Sequence, residues 1–344
     1  MEYVNDIAIN EGIIHVLDNN GDEPLLNERV LTINDEIYEF LLKHVQKVFK
    51  DEELKYASFK QNRNVIKDLS QEYLKGENSL LEVSKELANQ MFSLMKSNGN
   101  IPSCDLIVVS ISTEYGPMLG ILKMDYIKNY SHKVEFKDGK FDIDIVAQLT
   151  GLPTSGQKIQ KAAFIKLLNE DNEVDLMVLD KQKKTKDKEE YGSNYFINNY
   201  LGCFIINNER DMTKNFLNAA EKWTRNNLSE NADVAEKVRT TIKKRVKNGD
   251  VVDVNAISDE LFLEPEVREN FKGFVKELGV EDEIKVDKQW VEKKLKRVRL
   301  KIDKDIDLYI NEETYGDDSR FEIQRNGDGT INMVIKFVKN YIEK

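Results

Sequence analysis

From Asp105 to Leu179 the sequence runs as short β-like segments whose separators are too short to hold a helix. The segments are Asp105 to Ser112, Met118 to Tyr126, Phe141 to Thr150, Lys158 to Leu168 and Val174 to Leu179; the breaks include Gly116-Pro117, Asp138-Gly139 and Pro153 to Gly156. Parallel strands need crossovers of about a dozen residues or more, usually helical, so this spacing favours an antiparallel meander over a parallel sheet. Residues 102 to 180 are therefore expected to form one sheet. Each flanking helix with one apolar face needs that sheet as a partner.

Two such helices precede it. Ile37, Leu41, Val45 and Val48 recur at helical spacing behind Asn34, whose side chain is placed to cap the free N–H groups. Ser79 and Glu82 form a capping box ahead of Leu80, Val83, Leu87, Met91 and Leu94, a stripe that closes near Gly99. The polar stretch between the two reads as further helix. Ile7 to Leu17 predicts an opening strand, stopped by Asp18-Asn19-Asn20-Gly21.

The second half reverses the order, helices first. Asp211 is expected to cap a helix carrying Met212, Phe216, Ala220, Trp223 and Leu228, and Val234, Val238, Ile242 and Val246 mark the next, ending before Gly249. Pro265 stands at a first helical position, followed by Val267, Phe271, Phe274 and Leu278, with Gly279 as the stop. Val298, Leu300 and Ile302 then alternate with Arg297, Arg299 and Lys301; Ile306, Leu308 and Ile310 keep the period of two. Phe321 and Ile323 face Ile331, Met333 and Ile335 across the turn Asn326-Gly327-Asp328-Gly329. At roughly 150 residues per domain, 344 residues predict two domains. The nearly all-charged stretch 181 to 190 marks their boundary, giving 1–190 and 191–344. The fold class expected is α+β: an N-terminal antiparallel sheet with packed helices, then a helical segment followed by a small antiparallel sheet.

A composition 40% hydrophobic and 33% charged supplies enough apolar material for two cores. No apolar run approaches the roughly 18 residues of a membrane span, and the start MEYVNDIAIN lacks the pattern of a secretory signal, so a cytoplasmic protein without a membrane partner is expected. Cys104 and Cys203 lie far apart with no metal-type spacing, which predicts free thiols.

Net charge narrows the function classes. The chain carries −11, from 51 basic and 62 acidic residues, which argues against wrapping nucleic acid with its whole surface. The imbalance is uneven: residues 1 to 150 hold 16 basic and 25 acidic residues, residues 151 to 344 hold 35 and 37. Any anion-binding surface belongs to the second half. Cations concentrate there in three places: Lys181, Lys183, Lys184, Lys186 and Lys188; Lys237, Arg239, Lys243, Lys244, Arg245 and Lys247; and Lys293, Lys294, Lys296, Arg297, Arg299 and Lys301. With Val238, Ile242 and Val246 turned inward, Lys237, Arg239, Lys243, Lys244 and Lys247 spread over the opposite side of one helix. An ordinary solvated helix face fits equally well. Arg297, Arg299 and Lys301 share one face of a strand, where Asp305 and Asp307 on the neighbouring strand offer cross-strand partners. A helix-turn-helix over 231 to 262 is disfavoured by Asp253, Asp259 and Glu260, which phosphates repel.

Catalytic and metal patterns are weak. The glycines from 116 to 120 lack phosphate-loop spacing; Asp303, Asp305 and Asp307 begin like a calcium loop, but Leu308 stands where glycine must turn the chain. His15, His44 and His132 form no metal-binding pair, and His44 sits at a core edge. Asp125 with Glu135 and Lys137 has the composition of a Mg²⁺ nuclease centre, yet it adjoins a hairpin turn where charges are simply solvated. No enzyme activity, cofactor or metal is therefore expected.

Four segments give the chain a resemblance: Ile-Ile-His-Val-Leu-Asp at 13 to 18, Phe-Asp-Ile-Asp-Ile-Val-Ala-Gln-Leu-Thr-Gly at 141 to 151, Tyr195 to Gly202 ending Tyr-Leu-Gly, and Ser319 to Lys336. In these it resembles the bacterial nucleoid-associated protein family (NdpA-like) over nearly its whole length. The resemblance implies a cytoplasmic protein found with the nucleoid that binds DNA, and no catalytic residues. The expected function is weak, non-specific DNA binding through basic surfaces of the C-terminal half. The alternatives are a scaffold docking on DNA-processing proteins at the nucleoid and, further off, the Mg²⁺ nuclease.

Overall fold

The computed structural model describes residues 3–150, 152, 159–169, 174–181, 195–303, 305–340 and 342. The chain divides into two compact units, Glu2–Ile206 and Asn207–Lys344. The charged stretch in which a boundary is expected lies, beyond Lys181, outside the described residues.

In the first unit β1 (Ile7–Leu17) leads to α1 (Asp35–Phe49), β2 (Lys55–Phe59), α2 (Val65–Leu74), α3 (Leu80–Ser97), β3 (Cys104–Thr113) and β4 (Gly116–Asp125). A hairpin follows, β5 (Ile127–Lys137) and β6 (Lys140–Thr150), then β7 (Lys161–Lys166), β8 (Leu176–Asp180), a π-helix (Phe196–Leu201) and β9 (Cys203–Ile206). Seven strands form one sheet in the order β1-β3-β4-β7-β8-β2-β9, every neighbouring pair antiparallel. Helices cover both faces. Leu87 and Met91 of α3 pack with Ile13, Leu106, Val108, Leu119 and Ile121 on one side, while Phe49 of α1 stacks on Phe164 at 4.3 Å on the other. Double cover explains why β3 and β4 read as continuous apolar runs.

Asn34 and Ser79 cap their helices as expected, accepting from the N–H groups of Ile37 and Glu82. The single sheet expected over 102 to 180 needs correction, because Phe141 to Thr150 does not join it. β6 pairs with β5 instead, from Ile127↔Thr150 to Lys137↔Lys140, and β7 lies directly beside β4. The cause is local: Asp138 and Gly139 both take positive φ (50° and 75°), the two-residue turn whose twist closes a tight hairpin.

In the second unit α4 (Glu209–Asn227), α5 (Ala232–Asn248), β10 (Val251–Asp253), α6 (Val254–Leu261), α7 (Pro265–Glu277), β11 (Glu283–Lys285) and α8 (Lys288–Lys294) come first. Then follow β12 (Arg297–Ile302), β13 (Ile306–Asn311), α9 (Glu312–Tyr315), β14 (Phe321–Arg325) and β15 (Ile331–Ile335). Its core gathers Trp223, Phe262 and Phe271, with ring centroids 5.0–5.6 Å apart, and Trp223 Nε1 donates to Asn270 at 2.8 Å. α4 begins one turn earlier than expected. Asn208, not Asp211, is its cap, and accepts from the Asp211 N–H at 2.9 Å. The expected hairpins β12–β13 and β14–β15 are both present and antiparallel.

Candidate nucleic-acid interface

Two of the three basic concentrations lie within the second unit. α5 forms because Asn231 caps the Val234 N–H at 3.1 Å and Ala235, Val238, Ile242 and Val246 make one buried stripe. That stripe fixes where every cation of the helix points. Lys237 and Lys244, seven residues apart, stand on the exposed outer face and make no ion pair among the described residues.

The flank of α5 is occupied differently. Arg239 donates through Nε and a terminal nitrogen to both carboxylate oxygens of Glu221, at 2.8 and 3.2 Å. Burial pushes the Glu221 carboxyl up, but its bonds to Arg239 and Arg225 hold it below the usual range. Lys243 lies half-buried over the Tyr315 ring, 5.8 Å from its centre, and burial lowers its ammonium below the ordinary value. Lys247 pairs with Glu312, and Arg245 with Glu260. α9 thus engages Lys243 and Lys247, while Glu221 of α4 holds Arg239. Of the five α5 residues singled out, Lys237 and Lys244 offer charge to solvent, while Arg239, Lys243 and Lys247 are engaged within the unit.

The β12–β13 hairpin places its cations otherwise. Val298 is buried and Leu300, Ile302, Leu308 and Ile310 are half-buried, so the alternate residues Arg297, Arg299 and Lys301 all emerge on the exposed side. Register sets Asn311, Tyr309 and Asp307 opposite them in turn. The Arg299 guanidinium lies 5.0 Å from the centre of the Tyr309 ring and 3.7 Å from Asp307. Cross-strand pairing is therefore partial: Arg297 and Lys301 make no ion pair among the described residues, and Asp307 reaches Arg299 only at the limit of contact. Alternate residues of a strand are about 6.6 Å apart, so the row spans about 13 Å, close to the axial length of four base pairs. Tyr309 was missed in the sequence, where it reads as one more polar-face residue; its pairing with Arg299 needs the register.

Lys181, from the remaining concentration, pairs with Asp51, and Lys183, Lys184, Lys186 and Lys188 lie outside the described residues. The acidic cluster of the nuclease alternative is dispersed. Asp125 ends β4 in a buried ion pair with Lys123, whereas Glu135 sits eight residues into β5, held between Lys133 at 2.7 Å and Lys137. Paired with both ammonium groups, its carboxyl falls below the usual range. Among the described residues no group of three or more His, Cys, Asp or Glu is placed to hold a metal ion. Burial pushes the Cys104 and Cys203 thiols up to about 12, so neither is a thiolate nucleophile at neutral pH. No helix among the described residues is long and apolar enough to cross a membrane.

Of the four segments that carry the family resemblance, Phe141 to Thr150 forms β6 and the other three lie in structural elements of the two units. Ile13 to Leu17 lies in β1, where His15 is fully buried; Tyr195 to Gly202 holds the π-helix; Ser319 to Lys336 frames the β14–β15 hairpin. Residues 13–343 match the family model described as nucleoid-associated protein YejK. A search of the curated proteins finds no match.

Proposed function

We propose that this chain, which belongs to the nucleoid-associated protein YejK family, binds DNA at the nucleoid through the exposed face of its β12–β13 hairpin. The observation that carries the reading is the solvent-facing row Arg297, Arg299 and Lys301, met by a single carboxylate at 3.7 Å. Phosphate contacts need cations whose charge is not already spent inside the protein, and this row satisfies that condition better than α5. Family membership gives the nucleoid, and so the cytoplasm, as the place where it acts.

The binding is local and weak. Three cations neutralise about three phosphates, which supports non-specific affinity in the micromolar range or weaker at physiological salt. Such contacts position a protein without reading bases, so affinity should be nearly the same for unrelated sequences. Tyr309 adds an aromatic surface beside Arg299, the combination that single strands use for stacking. No catalytic step is assigned.

A gel shift with two charge-reversal variants tests the reading. Arg297→Glu/Arg299→Glu/Lys301→Glu should abolish binding, and Lys237→Glu/Lys244→Glu should weaken it only through net charge. If the α5 variant loses binding and the β12 variant retains it, the interface belongs to the helix. If the wild-type protein binds no DNA at low salt, docking on a protein partner at the nucleoid replaces direct contact.

A further inference from the structure

The β5–β6 hairpin has no place in the DNA-binding account. It is an excursion between two strands that already neighbour each other in the sheet, and no other described strand pairs with it. Its register sorts the side chains onto two unlike faces. One face carries Asn129, Ser131, Lys133, Glu135, Asp142 and Asp144, and its charges meet in pairs from Glu135 to Lys133 and Lys137 and from Lys137 to Asp142. The other face is largely apolar and open to solvent: Tyr130 and Phe136 are 66% exposed, Val134 51%, Phe141 and Ile145 74%, and Ile143 67%, with His132 opposite Ile145 and Lys128 over the Tyr130 ring at 5.4 Å. Phe136 and Phe141 meet edge to face at 5.1 Å, which gives the end of the arm a firm shape.

We propose that this face is the contact by which two copies of the chain form a dimer. Three properties select a second copy over another partner. The segment 127–150 carries four Lys against one Glu and three Asp, a net charge of zero, so it attracts neither phosphate nor an acidic or basic peptide. The exposed parts of the six apolar side chains amount to roughly 600–800 Å², beyond the patch expected on a monomer. Doubled by symmetry, about 1,200–1,600 Å² falls in the range of stable, specific interfaces. An isolated two-stranded ribbon is at best marginal in water, so 11 residues of regular pairing on each strand imply that the apolar side is covered.

A two-fold axis through the centre of the arm lets each face lie on its own copy. Run antiparallel, the arms set the Phe136–Phe141 end of one over Tyr130 of the other and bring Ile145 near its own counterpart. The proposal is independent of the DNA-binding reading, since no residue is shared between them.

Sedimentation of the full-length protein across the micromolar range, with and without Ile143→Asp/Ile145→Asp, tests it. Wild type should be dimeric, and the variant monomeric but still folded, with thermal unfolding independent of concentration, because both side chains are exposed in the single chain; burying four carboxylates should raise Kd by about 100-fold or more. A second measurement does not depend on the acidic variant. Both native cysteines are buried, so Ile145→Cys should give a disulfide-linked dimer on mild oxidation, and Ser131→Cys, on the polar face, should not. A wild-type protein that stays monomeric, a dimer that survives the double substitution, or a variant that keeps its mass and loses DNA binding would each overturn the proposal.

Discussion

His15 is a buried titratable group whose contribution to stability can be worked out in sign and size. Its Nδ1 accepts the Asn27 N–H at 3.0 Å, so the neutral ring carries its proton on Nε2 and donates to Ser84 Oγ, also at 3.0 Å. Burial, with Lys85 adding repulsion, pushes its pKa down from 6.5 to about 4. Between those values the unfolded chain binds a proton that the native chain refuses, so stability from this site is complete above pH 6.5 and is lost as pH falls toward 4. At about 1.4 kcal/mol per pH unit the loss is about 3 kcal/mol. Urea unfolding followed by circular dichroism at several pH values, for wild type and His15→Gln, separates this group from the carboxylates common to both. Gln reaches Ser84 and does not titrate, but it leaves the Asn27 N–H without its acceptor, so the variant should be about 1–3 kcal/mol less stable at pH 7.5. That deficit should vanish or reverse near pH 4. Trp223 and Trp290 both lie in the second unit, and their fluorescence serves as the internal control. A wild-type–variant difference that stays constant from pH 7.5 to 4 would refute the neutral, buried assignment of His15.

Other perturbations act through different terms. Lys123→Ala strands the buried Asp125 carboxylate and should cost about 3–5 kcal/mol, read as a lower urea midpoint of the first unit. Gly120→Ala places a Cβ 2.7 Å from Val109 and 2.9 Å from Phe164, an overpacking worth about 1–3 kcal/mol by the same measurement. Trp223→Phe removes the bond to Asn270 and should lower second-unit stability by about 1 kcal/mol in thermal unfolding.

The elements most legible in the sequence are those fixed by local chemistry. The Asn34 and Ser79 caps, the Pro265 start and the alternation of β12 and β13 follow from neighbouring residues, and the structure has all of them. Elements fixed by distant partners were not legible. β2 spans only five residues and becomes a strand because β8 and β9 flank it; β5 alternates as β6 does, but its charged half reads as a solvated loop. The basic surface divides in the same way. A helical wheel places Lys237 and Lys244 outward, but the engagement of Arg239 by Glu221, and of Lys243 and Lys247 by Tyr315 and Glu312, depends on residues 18 to 72 positions away. Charge counted along a sequence overstates the charge a surface presents.

The salt dependence of DNA binding tests the β12–β13 interface most directly. Fluorescence anisotropy with an arbitrary duplex should give a slope of log K against log salt near −2.7, about −0.9 for each of three phosphates, and Arg299→Ala should bring it toward −1.8. The same values should hold for a duplex of unrelated sequence. A slope that Arg299→Ala leaves unchanged, with binding intact, would contradict the assignment of the hairpin face as the site of phosphate contact.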